Sequence, residues 1–360
     1  MSETILNNRY KILQKLGEGG FGQTFLAEDL HLPTKPRCVV KRLKPEFDSD
    51  EMIKLAQRLF EQEAEMLYRL GNHPHIPNLL AHFQLNGEFL LVQEFIEGWT
   101  LADEFRGGKQ YNEREAADLT RQILETLSYV HGQNVIHRDI KPSNLIRRKS
   151  DGRVFLIDFG AVKQVSVNAL GQNATFKSTV ALGSHGYMPS EQTAGRPHFA
   201  SDLYAAGLVI IEALTGINPL QLAQNRTTGE FVWQHKVNIR KELADFAARL
   251  VRYDYRQRYQ SAKEACAAFN MISTAMGLTP KPLAFVPPVE IPRQTPPAHA
   301  KVLFETNTQT PQNQLPPTVT PQAQIPPTNL PPVSDSVPTF HNSVQPFANS
   351  FPQIAPTVAA

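Results

Sequence analysis

The chain has 360 residues, 41% of them hydrophobic, and a formal net charge of +2. That is enough for a two-lobed globular domain with an appendage. The near balance of charge leaves no basic arm or acidic tail, so neither a nucleic-acid partner nor a membrane surface is expected. Two cysteines, Cys38 and Cys266, form neither a disulfide framework nor a metal-ligand set, which fits a reducing compartment. The opening MSETILNNRY has no apolar signal core, and the longest apolar run, Leu203 to Ile211, is far short of the roughly 20 residues a membrane helix needs. The cytoplasm is the expected location, with no membrane span.

In chain order, residues 1–8 read as an N-terminal extension. Short runs rich in Val, Leu and Phe follow at Tyr10–Leu16, Gln23–Glu28, Arg37–Leu43, Leu79–Leu85 and Phe89–Phe95, and read as strands. Asn86-Gly87 between the last two is a hairpin signal. Glu51 to Leu70 reads as a helix with Leu59, Met66, Leu67 and Leu70 on one stripe. From Asn112 onward helices dominate, beginning with Ala116, Leu119, Ile123, Leu127 and Val130 at i, i+3/i+4 spacing. Composition changes near Pro280: of 28 prolines, nineteen lie between Pro280 and Ala360, where Pro-Pro recurs after Gln-x or Asn-x. Proline removes backbone donors and favours extended polyproline II, so residues 280–360 read as a disordered Pro-rich tail, either a spacer or a segment that docks on a partner.

Leu16-Gly17-Glu18-Gly19-Gly20-Phe21-Gly22 lies between the first two runs. Glycines let a backbone approach phosphates closely and present N–H groups to them. Alone, the pattern is weak evidence and is better read as a plain glycine hairpin. A dinucleotide-binding turn would open a helix, whereas here another strand follows. Lys41 sits mid-strand in Cys38-Val39-Val40-Lys41, and Glu63 falls on the apolar stripe of the helix. A carboxylate placed there is costly unless paired, and Lys41 is the expected partner, which would aim the ammonium at the α- and β-phosphates of a nucleotide.

Ile136-His137-Arg138-Asp139-Ile140-Lys141-Pro142-Ser143-Asn144 follows the long helix, and Asp158-Phe159-Gly160 follows the apolar strand Val154–Ile157. Phosphoryl transfer needs a placed nucleophile, neutralised phosphate charge and metal ions. Asp139 can accept the proton of an incoming hydroxyl and Lys141 can reach the γ-phosphate. Asn144 and Asp158 offer oxygens to Mg²⁺, a hard cation.

These motifs resemble the protein-kinase superfamily, specifically bacterial Hanks-type serine/threonine kinases and most of all cyanobacterial ones, over about three quarters of the chain. The resemblance implies an α+β bilobal fold in residues 9–275, with a β-rich lobe at about 9–96 and a helical lobe at about 97–275. It implies transfer of the γ-phosphoryl of ATP to Ser/Thr hydroxyls of protein substrates, with Mg²⁺ as the metal and Mn²⁺ as a substitute, and autophosphorylation. Asp139, Lys141 and Lys41 are then catalytic, and Asn144 and Asp158 are metal ligands. ATP would lie against Leu16, Gly17, Gly19, Gly22, Thr24, Lys41, Glu63, Glu94 and Ile96. Glu94 and Ile96 would offer backbone groups to adenine, with Gln93 gating the rear of the pocket.

By the same resemblance, Asp202 braces the loop around Asp139 from a buried helix, and Glu191 pairs with Arg258 to lock a substrate-docking segment. Arg138 suggests a loop ordered by phosphate, with Ser178 and Thr179 the expected sites among Thr175, Ser178, Thr179 and Ser184. Pro189-Ser190-Glu191, Ser184 and Thr24 depart from the usual pattern and put peptide specificity in doubt more than chemistry. A catalytically dead scaffold and a small-molecule kinase remain the rivals. The sequence leaves substrates, upstream signal and oligomeric state open.

Overall fold

Residues 4–19, 22–43, 50–159 and 185–278 are described by the computed structural model. The alternating runs of the first hundred residues fold as one antiparallel sheet. Its strands are β1 (Ile5–Leu6), β2 (Tyr10–Gly19), β3 (Gly22–Asp29), β4 (Arg37–Leu43), β5 (Leu79–Leu85) and β6 (Glu88–Glu94), in the order β1-β2-β3-β4-β6-β5. β1 pairs Ile5 with Lys11 and Leu6 with Tyr10, so the sheet starts ahead of the residue 9 expected as the domain's beginning. The Asn86-Gly87 hairpin forms as expected, with φ of 51° and 78°, values that a two-residue turn tolerates at Asn and Gly.

Period-2 alternation gives the sheet two working faces. Tyr10, Ala27, Cys38, Val40, Leu90 and Val92 form a separate apolar cluster on one of them. On the other, Phe89 and Leu91 pack with Phe60, Ala64, Leu67 and Leu70 of α1 (Asp50–Leu70) in the main core. Lys41 lies opposite Leu91 and Thr24 lies opposite Lys41, so the register places all three on the face that meets α1. Glu63 of α1 is 4% exposed.

A second sheet, β7 (Gly98–Thr100), β8 (Leu145–Arg148) and β9 (Val154–Leu156), joins the end of the first to the helical lobe. Helix α2 (Leu101–Phe105) is followed by α3 (Glu113–Gly132), which starts at a capping box between Asn112 and Glu115. All five residues expected on its apolar stripe are buried. Beyond a short turn α4 (Ser190–Thr193), helix α5 (Phe199–Thr215) is buried on nearly every side, with α6 (Lys241–Leu250) and α7 (Ala262–Ala275) around it. Leu208 on α5 is fully buried, and truncating such a side chain to alanine costs about 2–5 kcal/mol. The polarity of α5 is therefore informative: a buried Asp202 in this apolar helix requires partners.

Candidate active site

The loop from Ile136 to Asn144 is held from below by Asp202. Its two carboxylate oxygens accept the backbone N–H groups of His137 (2.8 Å) and Arg138 (2.8 Å) and the Nε2–H of His131 (3.0 Å). His131 Nδ1 accepts the N–H of Ala262, so both imidazole nitrogens are engaged and its tautomer is fixed. His137 is pinned likewise: Nε2–H donates to the Ile157 carbonyl at 3.1 Å and Nδ1 accepts the Asp139 N–H at 3.3 Å. Burial pushes the His137 pKa down despite the nearby Asp202, Asp139 and Asp158 carboxylates, which favours the neutral ring these bonds require. Phe159 packs on it with ring centroids 4.6 Å apart.

Asp139 is 7% exposed. Asn144 Nδ2 donates to its carboxylate Oδ2 and to its backbone carbonyl, each at 2.8 Å. Lys141 Nζ lies 3.1 Å from the same Oδ2. Because the Asn144 amide nitrogen is spent on Asp139, its oxygen is the group left to offer to a cation.

Lys41 meets Asp158 at 2.8 Å, an ion pair spanning 117 residues of chain. The expected partner was Glu63, and its charge also acts on Lys41. Burial works against the ammonium, but Asp158, Glu63 and Asp139 outweigh it and raise the Lys41 pKa, so the group stays charged. Asp158 adopts left-handed backbone, φ 62°, as does Arg138, φ 67°. Non-glycine residues held there cost roughly 1–3 kcal/mol and cluster at working sites.

The remaining sequence-predicted residues surround this centre. Leu16 is 47% exposed, and Gly17 has open space where a side chain would stand. Gly22 cannot be replaced freely, since a Cβ there would come within 2.2 Å of the Arg42 carbonyl oxygen. Gly19 faces Gly22 across the hairpin. Ile96 and Gln93 are 5% and 7% exposed. The Glu94 carboxylate accepts the Asn78 amide at 2.8 Å, which leaves its backbone carbonyl as what it offers a base. Among the described residues no group of three or more His, Cys, Asp and Glu side chains could hold a metal alone. The donor set at hand, one carboxylate and one amide oxygen, suits Mg²⁺ shared with substrate phosphates and water.

The Glu191–Arg258 pair that the resemblance implies is present. Arg258, 2% exposed, donates to Glu191 at 2.6 and 3.3 Å, and to the carbonyls of Arg252, Ala200 and Tyr253. Three contributors escaped sequence reasoning: His131, Gln192, which donates to the Arg138 carbonyl at 2.6 Å, and Glu212, which accepts the Tyr187 hydroxyl. Burial drives the Glu212 carboxyl pKa up. Phe21, Gly160, Thr175, Ser178, Thr179, Ser184 and the tail from residue 280 lie outside the described residues.

Such a cleft, with a curled antiparallel sheet over a helical lobe and these motifs converging between them, defines a class. The family model described as a protein kinase domain matches residues 10–269, and the chain belongs to the protein kinase family. Within it, the chain is similar to serine/threonine-protein kinase B of Synechocystis sp., 42% identical over 269 residues that make up 74% of this chain and 47% of that protein. Serine/threonine-protein kinase PknA of Nostoc sp. is 42% identical over 271 residues, 75% of this chain and 48% of that one. Serine/threonine-protein kinase C of Synechocystis sp. is 44% identical over 260 residues, 72% and 49% respectively. The chain thus spans about half the length of the curated relatives it matches. The crystal structure of the Mycobacterium tuberculosis PknI kinase domain superposes with a TM-score of 0.55 at 21% identity, covering 76% of this chain and 99% of that one, which shows the fold. ATP and a divalent metal are what this family uses generally. Among the described residues no helix is long and apolar enough to cross a membrane.

Proposed function

We propose that this chain is a protein serine/threonine kinase that moves the γ-phosphoryl of ATP onto hydroxyls of protein substrates and onto itself. The observation that carries this is the 2.8 Å pair of Lys41 with Asp158, beside an Asp139 held by Asn144 and Lys141. Two acidic groups and two ammoniums from distant parts of the chain meet in one cleft.

The roles follow from the chemistry of each group. Asp139, buried and fixed by Asn144, accepts the hydroxyl proton as the hydroxyl oxygen attacks phosphorus. The bond from phosphorus to the β–γ bridging oxygen breaks and ADP leaves. Lys141 carries positive charge to the γ-phosphate and Lys41 to the α- and β-phosphates, with Glu63 and Asp158 keeping Lys41 charged. Asn144 and Asp158 would hold Mg²⁺, or Mn²⁺ in its place, which neutralises developing phosphate charge when bound. Leu16 and Thr24 would line the adenine site, with the backbone of Glu94 and Ile96 reading the base and Gly17, Gly19 and Gly22 covering the phosphates.

We take residues 9–275 as the kinase domain and 280–360 as a Pro-rich tail that acts as a spacer or docks on a partner. A cytoplasmic signalling role is the reading that fits two free cysteines and a protein-directed kinase. Incubation of the chain with labelled ATP, Mg²⁺ and a generic protein substrate tests the function, alongside a panel of sugars and aminoglycosides. Label should appear on Ser and Thr of protein, and Lys41→Met, Asp139→Asn and Asp158→Ala should each abolish most of it. Transfer to the small molecules alone, or wild-type rates in a folded single variant, would refute the assignment.

A further inference from the structure

Between Arg138 and Asp139 runs one peptide group whose orientation sets where the Asp139 carboxylate stands. Its two ends are held by different parts of the molecule. The N–H end, on Asp139, donates to His137 Nδ1 at 3.3 Å. The carbonyl end, on Arg138, accepts the Gln192 side-chain amide at 2.6 Å. Arg138 itself has φ 67°, a left-handed conformation that a non-glycine residue keeps only where its surroundings hold it. Asp202 takes the N–H on the near side of that residue, at 2.8 Å, and Gln192 takes the carbonyl on the far side.

Gln192 belongs to the docking segment rather than to the loop. It sits in α4, one residue after Glu191, and Glu191 is fastened to Arg258 and also accepts the Ser201 hydroxyl at 2.8 Å. The segment that leads into the helical lobe is thus rigidly seated, and its next side chain reaches back across 54 positions to the residue before Asp139.

We infer that Gln192 is a positioning residue for phosphoryl transfer: its amide fixes the Arg138–Asp139 peptide, so that seating of the docking segment is felt as the placement of the Asp139 carboxylate. The inference rests on the kinase reading above and adds to it a coupling of the docking segment to the proton acceptor. Gln192 bonds to the Arg138 carbonyl and is not among the residues assigned to ATP, so its loss should act on the transfer step and not on ATP binding.

The test uses the full chain with a protein substrate and two substitutions of nearly the same size. Gln192→Met removes the donor and should lower kcat about 5- to 10-fold, the rate equivalent of one lost hydrogen bond, with KM for ATP within twofold of wild type. Gln192→Glu places an ionised acceptor against the carbonyl oxygen and should lower kcat further. A residue that only supports the fold lowers the folded fraction and leaves kcat per folded molecule unchanged. Wild-type kcat in Gln192→Met, a rise in KM for ATP equal to the fall in rate, or a Gln192→Glu variant faster than Gln192→Met each overturns the positioning role. A wild-type chain that transfers no phosphate removes the kinase reading, and this inference with it. An active wild type with an indifferent Gln192→Met removes the inference alone.

Discussion

Replacing Asp202 with alanine strips three buried donors of their acceptor at once: the N–H groups of His137 and Arg138 and the Nε2–H of His131. Asp202 is 1% exposed, and His137 and His131 are 1% and 6% exposed, so water does not readily take its place. Leaving a buried donor unsatisfied costs about 1–3 kcal/mol. Three of them, one on the part-buried Arg138, put the loss at about 3–6 kcal/mol. That is a large share of the roughly 5–15 kcal/mol by which a domain is stable. Asp202→Asn keeps one carbonyl oxygen but turns an amide toward the donors, so it should fall between alanine and wild type. Urea unfolding measures both, with the midpoint shifting and the slope nearly constant. For the folded fraction that remains, kcat should fall in the same order, since the loop carrying Asp139 has lost its anchor. An alanine variant within about 0.5 kcal/mol of wild type, or an asparagine variant worse than alanine, would show that the reasoning from donor count is wrong.

Truncating either Glu191 or Arg258 leaves the other charge buried, at about 3–5 kcal/mol each, while removing both should cost much less than the sum; an additive double-mutant cycle would contradict the pairing. His75, 8% exposed, has its pKa pushed down to about 4 by burial and then by the positive charges of His73, Arg153 and Arg148. It is neutral in both states above the unfolded value near 6.5, so its contribution is complete at pH 7. The contribution fades as pH falls from about 6.5 to 4, where the unfolded chain takes a proton that the folded one refuses. The loss is at most about 3 kcal/mol, and urea unfolding of His75→Gln should show a flatter pH profile than wild type. Arg138 Nε is buried with no hydrogen-bond partner among the described residues, which suits an anion brought to it. Mass spectrometry after incubation with Mg²⁺ and ATP should find phosphate on Ser178 or Thr179, and full activity in Ser178→Ala/Thr179→Ala would remove that switch.

Elements whose cause is local could be read from sequence, and those whose cause is distant could not. The Asn86-Gly87 turn fixes its own backbone, so the β5–β6 hairpin was legible to the residue at Leu79 and Leu85. Helix α3 carries its core face in its own spacing. By contrast, β7 has three residues, too short for alternation to appear, and exists because β8 lies beside it, whereas β9 was legible as the apolar strand Val154–Ile157. Strand β1 has two residues and relies on pairing with Lys11 and Tyr10.

The site divides along the same line. The roles proposed for Lys41, Asp139, Lys141, Asn144 and Asp158 each demand a particular residue type, because few side chains can accept a proton, neutralise phosphate or ligate a hard cation, so the sequence draws attention to those positions. Which of them touch is another matter. Glu63 was the expected partner for Lys41 on grounds of burial, and its charge acts on Lys41, but the 2.8 Å contact with Asp158, 117 residues away, is one that neither segment announces. The supporting residues are less legible still. Many side chains can donate to a carbonyl, so nothing in Ser190-Glu191-Gln192-Thr193 marks Gln192 for Arg138. His131 reads as the polar end of a helix until α5 places Asp202 against it. Their chemistry is degenerate while their geometry is not, and a strained Arg138 backbone at φ 67° is the feature that makes such geometry necessary.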